Sequence, residues 1–284
     1  MIVVRQLARP EEGVGGRERG RSVTRVALLA SLIVALISAE ALAQPPAAPY
    51  EPTVGQGGKD VVWVPTPQPL VEKMLDMARV GPDDIVYDLG SGDGRNVIAA
   101  AKRGATAVGV EYNPDMVALA RRLAEQAGVA DKATFVEGDM FTADISKATV
   151  MALFLLPDNL ERLRDTFMQL RPGTRMVMNT FGIPEWDPDV RESMEDCVSW
   201  CTSLLYYVPA RVAGTWKTSR GELQLTQMYQ VVLGTLVEEG REVKLTGKLE
   251  GTALTLDGDG VSLRAVVNGD ELDGGSWSAT RQGR

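Results

Sequence analysis

Between residues 67 and 181 the apolar positions alternate between helical spacing and short continuous runs. Leu70, Val71, Met74, Leu75 and Ala78 fall on one helical face, and Gly81 and Pro82 stop that helix. Residues 85–89 read as a strand, 95–103 as an alanine-rich helix and 107–110 as a second strand. Asn113 caps a helix that runs to Gly128, with Pro114 at its first position. Strands follow at 134–136 and 149–156, the latter apolar enough to be central. A helix over 160–170 ends at Pro172 and Gly173, and 175–181 is a fifth strand. Strands separated by helices of this length predict an α/β fold, Rossmann-like, with a mostly parallel sheet and helices on both faces.

The pattern changes after Phe181. Residues 182–196 read as a polar loop and 198–208 as a strand. From Val212 no helical period remains. Short alternating runs at 222–226, 243–247, 252–256 and 261–266 are separated by Gly, Asp and Asn, which predicts a small antiparallel β domain, a meander or barrel. Gly214 to Trp216 and Gly275 to Trp277 bracket this region as candidate paired terminal strands. The boundary is expected near Ala210, giving an α/β domain over 61–210 and an all-β domain over 211–284.

At the other end, residues 44–60 are rich in Pro, Gly and Ala without periodicity and read as a linker. Residues 1–25 hold six arginines against three glutamates, an apolar run covers 26–39, and Ala41, Leu42 and Ala43 follow. This is the layout of a secretory signal peptide over 1–43, cleaved after Ala43. The run is short for a membrane span, so an uncleaved anchor is the alternative. Both place the rest of the chain outside the cytoplasm, in the periplasm or envelope.

Composition narrows the chemistry. The formal charge is −8, which speaks against a surface that tracks nucleic-acid phosphates. There is no histidine, which removes the commonest general base and most zinc sites. Cys197 and Cys201, if they lie on an extended segment, are too far apart to bridge, and they read as small buried apolar residues. No metal site is expected.

The densest chemistry lies in the stretch VYDLGSGDGR over 86–95. Gly90 and Gly92 fit a dinucleotide turn, but the third glycine, Gly94, sits one position early, and Asp88 ends the strand just before the turn. A carboxylate there repels a pyrophosphate and attracts a cation. S-adenosylmethionine has an α-ammonium, a sulfonium and no phosphate. Glu111 ends the second strand, placed for two ribose hydroxyls. Asp139 follows the third strand, placed for an adenine amine, with Met140 beside it to pack on the ring.

The order Asp88-x-Gly90-x-Gly92, Glu111, Asp139 resembles the class I, seven-strand S-adenosylmethionine-dependent methyltransferases over about residues 62–210. Val64 to Pro67, the segment Gly109 to Pro114, and Asn179, Phe181, Pro184 and Trp186 resemble one subgroup. It holds the archaeal protein-lysine methyltransferases and the mitochondrial enzymes that methylate lysine on ATP synthase and on the adenine nucleotide translocase. The resemblance implies Thr66 near the methionine end of the cofactor, with Asp88, Gly90 and Gly92 around it. It also implies a protein lysine as methyl acceptor.

Phe154, Phe181 and Trp186 are then candidate walls of an acceptor channel, with core packing an equal reading for the two phenylalanines. Asn179 either holds the incoming amine or satisfies backbone groups. A small-molecule acceptor and an exported, non-catalytic binding module stay open as alternatives. The short archaeal enzymes have no counterpart of the C-terminal β region, and the family is intracellular.

Overall fold

The computed structural model describes residues 50–283 except 196 and 220. The expected signal segment, its cleavage site and the alternative membrane anchor lie outside the described residues. Among those described, no helix is long and apolar enough to cross a membrane.

The strands β1 (Ile85–Leu89), β2 (Thr106–Glu111), β3 (Ala133–Glu137), β4 (Val150–Leu153), β5 (Arg175–Asn179), β6 (Val190–Ser193) and β7 (Thr202–Tyr207) make one sheet in the order β3-β2-β1-β4-β5-β7-β6. Only the pairings of β7 are antiparallel. Alternate residues of each strand enter opposite cores, as the two-residue period requires. Val86, Ala107, Val150 and Val177 face α1 (Gln68–Met77), α2 (Arg95–Lys102) and α3 (Pro114–Gln126). Leu89, Val110, Met151 and Met176 face α4 (Pro157–Phe167). β4 is buried at all four positions, as a strand between β1 and β5 must be. Strand order reverses between β1 and β4, so the carboxyl ends of these strands flank the crevice where such sheets bind ligands.

Local chemistry sets the boundaries. The Asn113 side chain accepts from the Asp115 amide at 2.9 Å, capping α3 above Pro114. The helix expected from residue 160 begins three residues earlier, because Pro157 fits the first turn and Asp158 suits its dipole. Asp84, below β1, accepts from the Gly81 amide, the Thr149 hydroxyl and Arg175, tying together the lower ends of β1, β4 and β5.

Two expectations are corrected between residues 182 and 201. The supposed loop contains β6, an edge strand exposed at all four positions, whose polar residues give no alternation to read. The supposed strand over 198–208 begins only at Thr202. Residues 194–195 and 197–201 lie in the turn between β6 and β7, and Cys197 and Cys201 are joined in a disulfide across it with Cα atoms 5.7 Å apart. The cysteines are neither extended nor buried, because the turn folds back where a strand would have spread them.

From Gly214 the chain builds a closed antiparallel barrel of eight strands. They are β8 (Gly214–Thr218), β9 (Gly221–Met228), β10 (Val231–Glu238), β11 (Arg241–Glu250), β12 (Ala253–Gly258), β13 (Val261–Asn268), β14 (Glu271–Asp273) and β15 (Ser278–Arg281). The last strand pairs with the first, Trp216 opposite Arg281, so no edge is left open. Leu223, Leu225, Leu236, Leu245, Leu254 and Leu256 fill the interior, so the barrel encloses a packed core. β10 escapes a reading by alternation because Gly234 interrupts it.

Candidate functional site

The turn after β1 follows from its three glycines, which all have left-handed backbone (φ +72°, +55° and +80° at Gly90, Gly92 and Gly94). The amides of Gly90 and Ser91 both reach the Val110 carbonyl at the top of β2, at 2.8 and 3.1 Å. The Glu111 carboxylate sits above them. One oxygen accepts from the Gly92 amide and the other from the Asn113 amide, both at 2.9 Å. Each carboxylate oxygen keeps a second lone pair for a hydroxyl.

Asp88 lies beneath this turn, 3% exposed, and accepts from the Asn96 side chain at 3.1 Å. Burial holds its pKa well above the ordinary carboxylate range. Glu111 and Asp93 push the same way, and the Asn96 hydrogen bond only partly opposes them. A buried carboxylate with no cationic partner among the described residues is primed to receive one.

Arg95 links the turn to the segment before α1. It binds both oxygens of Asp93 and donates to the Thr66 carbonyl at 2.6 Å. The Thr66 hydroxyl accepts from the Asn179 amide at 3.2 Å, and the Thr180 hydroxyl donates to the other end of that amide. Asn179 is wholly buried and has both ends engaged. Of its two expected roles, holding the incoming amine or satisfying backbone groups, neither is what these bonds show: they fix Thr66 to the end of β5.

Asp139 follows β3, where its Oδ1 accepts from the Phe141 amide at 3.0 Å. Its Oδ2 is taken by Lys59 at 2.6 Å, which holds the carboxyl below its usual pKa. Lys59 comes from the segment read as a linker. Residues 55–63 form a small hairpin, with the Gly57–Val62 bridge at its centre and Lys59 over the Tyr112 ring. Asn159 donates to the Asp60 carbonyl, and Trp63 packs against Gly92. Met140 is buried beside Val110 in the core under α4.

The hairpin leaves two cavities of about 40 and 60 Å³ bordered by Gly90, Glu111 and either Asp139 or Phe154. These have room for a few waters. The acids are of the right kind and order for a nucleoside with an ammonium tail.

The aromatic candidates separate. Phe154 and Phe181 stack at 6.2 Å above β4 and β5. Their third neighbour is Trp200, from the disulfide-closed turn, at 5.4 and 5.6 Å. Trp186 is elsewhere: 2% exposed, it stacks on Tyr229 of the barrel at 5.2 Å and meets Tyr206 edge-on. Its assignment to the acceptor channel is corrected, because a ring sandwiched at the barrel junction has no free face. The sequence reading also missed Lys59, Arg95 and Trp200. Arg95 stood inside the quoted motif, and the close cysteine pair was the signal for Trp200, whereas nothing in a linker-like composition marks Lys59.

Residues 88–190 match the ANTKMT methyltransferase domain family. A protein-lysine N-methyltransferase of Saccharolobus islandicus is 44% identical over 151 residues, which cover 52% of this chain and 94% of that protein. The mouse adenine nucleotide translocase lysine N-methyltransferase is 38% identical over 120 residues, which cover 42% of this chain and 52% of that protein. A crystal structure of an RNA methyltransferase from Salinibacter ruber, in complex with S-adenosyl-L-homocysteine, has 46% identity and a TM-score of 0.50, covering 52% of this chain and 96% of that one. With the reversed strand order, the turn after β1 and the three acids at successive strand ends, these likenesses place the chain among the class I S-adenosylmethionine-dependent methyltransferases, in the group of the protein-lysine N-methyltransferases.

Proposed function

We propose that the protein transfers the methyl group of S-adenosylmethionine to the side-chain amine of a protein lysine. The observation that carries the reading is the placing of Asp88, Glu111 and Asp139 at the carboxyl ends of three consecutive parallel strands, beside an aromatic corner. Asp88 pairs with the α-ammonium, Glu111 accepts from the ribose hydroxyls, and Asp139 accepts from the adenine amine once Lys59 has left it. Met140 packs near the ring, and Gly90 and Gly92 bring backbone close to the methionine end, where Thr66 stands.

Bound there, the cofactor supplies an electrophilic methyl on a positive sulfur. An acceptor amine would take that methyl, its nitrogen forming the C–N bond as the S–C bond broke and left its electron pair on sulfur. Most of the rate then comes from positioning. The amine must first lose its proton to water. Phe154 and Phe181 favour this by stripping water from the ammonium, which lowers its pKa.

The test is radiolabelled transfer from S-adenosylmethionine into a lysate, followed by separate protease and nuclease digestion. Label released by protease and recovered as methyl-lysine supports the reading. Label released by nuclease would favour the acceptor named for the Salinibacter protein, against which the net charge of −8 argues. Label in small molecules would move the acceptor to a metabolite, and a calorimetric titration without heat of cofactor binding would remove the enzyme reading altogether.

We further propose that the chain is exported. The signal-like layout of residues 1–43 supports this, as does the Cys197–Cys201 disulfide, a bond that persists in oxidising compartments. Terminal sequencing of the protein from an envelope fraction should begin at Gln44; a cytosolic protein starting upstream of residue 40 would sink the proposal.

A further inference from the structure

We propose that Trp200, presented by the disulfide-closed turn between β6 and β7, is an acceptor-site residue that captures the ammonium of the incoming side chain. The inference rests on the amine-acceptor reading given above. Three observations converge on it. Phe154, Phe181 and Trp200 meet above the carboxyl ends of β4 and β5, and Phe154 also borders the cavity that reaches Gly90 and Glu111. The cluster therefore adjoins the cofactor crevice, and none of its three rings is fully buried.

The geometry makes a corner. The two phenylalanines lie nearly parallel, 15° apart, and the indole stands across them at 61° and 58°. Ring faces carry negative quadrupole, and indole attracts a cation most strongly of the three ring types. The ring faces attract the ammonium, while the water they displace from it works the other way and eases loss of its proton.

The turn fixes where the indole stands. Trp200 has left-handed backbone, φ +58°, which a bulky residue keeps only when its surroundings over-determine it. The adjoining Cys201 is tied twice, through its sulfur to Cys197 and through its carbonyl, which accepts from the Met194 amide at 2.9 Å. The cysteine pair thus acquires a positioning role.

The test is a ligand-observed NMR titration of n-butylammonium, the reacting end of a lysine side chain, against the whole protein saturated with S-adenosylhomocysteine. Wild type should bind, and Trp200→Ala should weaken binding at least about fivefold, while Trp200→Phe stays within about twofold. The double variant Cys197→Ser, Cys201→Ser should fall between them, with S-adenosylhomocysteine affinity within about twofold throughout. No binding to wild type, equal affinity in Trp200→Ala, or a parallel loss of S-adenosylhomocysteine affinity would each overturn the assignment. The lysine reading fails by a different sign, the absence of label in protein, which this titration does not depend on.

Discussion

Asp88 sets activity against stability at one carboxyl. Its pKa is raised by burial, so the folded, cofactor-free protein favours the protonated acid while the unfolded chain ionises in the ordinary range. The stability carried by that proton is present below the unfolded pKa and is lost as pH rises through the folded one. Cofactor binding works in the opposite sense, because an ammonium selects the carboxylate. Affinity for S-adenosylmethionine should fall as pH falls through the raised pKa, and binding should release protons. Calorimetry in buffers of different ionisation heat measures that release. Asp88→Asn should raise the melting temperature of the cofactor-free protein at neutral pH and weaken cofactor binding about ten- to a hundredfold, as expected for a lost charge-assisted contact. Unchanged affinity would remove the ammonium from this site. Gly94 makes a purely steric prediction. A Cβ there would stand 2.5 Å from the Phe135 ring, on a backbone of φ +80°. Gly94→Ala should cost about 1–3 kcal/mol by thermal or urea melting.

The hairpin over 55–63 and the turn over 194–201 show where the sequence could and could not be read. β1 is predicted to the residue, and the first three helices nearly so, because buried apolar faces impose a period on them. The placing of Asp88, Glu111 and Asp139 at one edge of the sheet was legible because each ends or follows such a strand. The hairpin and the turn bury little and are held by hydrogen bonds, a cation over a ring and a disulfide, none of which leaves a period. Lys59 occupies Asp139 by a partly exposed ion pair, which on the proposed function competes with adenine. Lys59→Ala should speed both entry and release of S-adenosylhomocysteine in stopped flow and leave its affinity equal or slightly tighter. Added salt should move the wild type in the same direction. A markedly weaker affinity in the variant would mean that Lys59 contacts the cofactor and does not merely screen its site.

The barrel and the seven-stranded sheet keep separate cores, yet their junction is built for close contact. The Ala210 amide donates to the Gly251 carbonyl at 2.8 Å, and Gln230 donates to the Asp187 carbonyl at 2.7 Å. Gly251 has φ +59° and sits so near Gly173 that a Cβ would come within 2.8 Å of its Cα. Next to Asp187 in the chain is Trp186, stacked on Tyr229, with its indole N–H buried and unpartnered among the described residues. A ring in that position joins the sheet-side core to the β9–β10 turn of the barrel and is too far enclosed to greet a substrate. Trp186→Ala should leave a cavity costing about 3–5 kcal/mol. Calorimetric melting should then split from one transition into two, while S-adenosylhomocysteine affinity stays within about twofold. Trp186→Phe should cost less, since it keeps most of the stack and removes the orphaned donor. If Trp186→Ala instead abolished methyl transfer and left melting unchanged, the residue would belong to the acceptor site, as its place in the sequence motif suggests, and the barrel would lose its anchor.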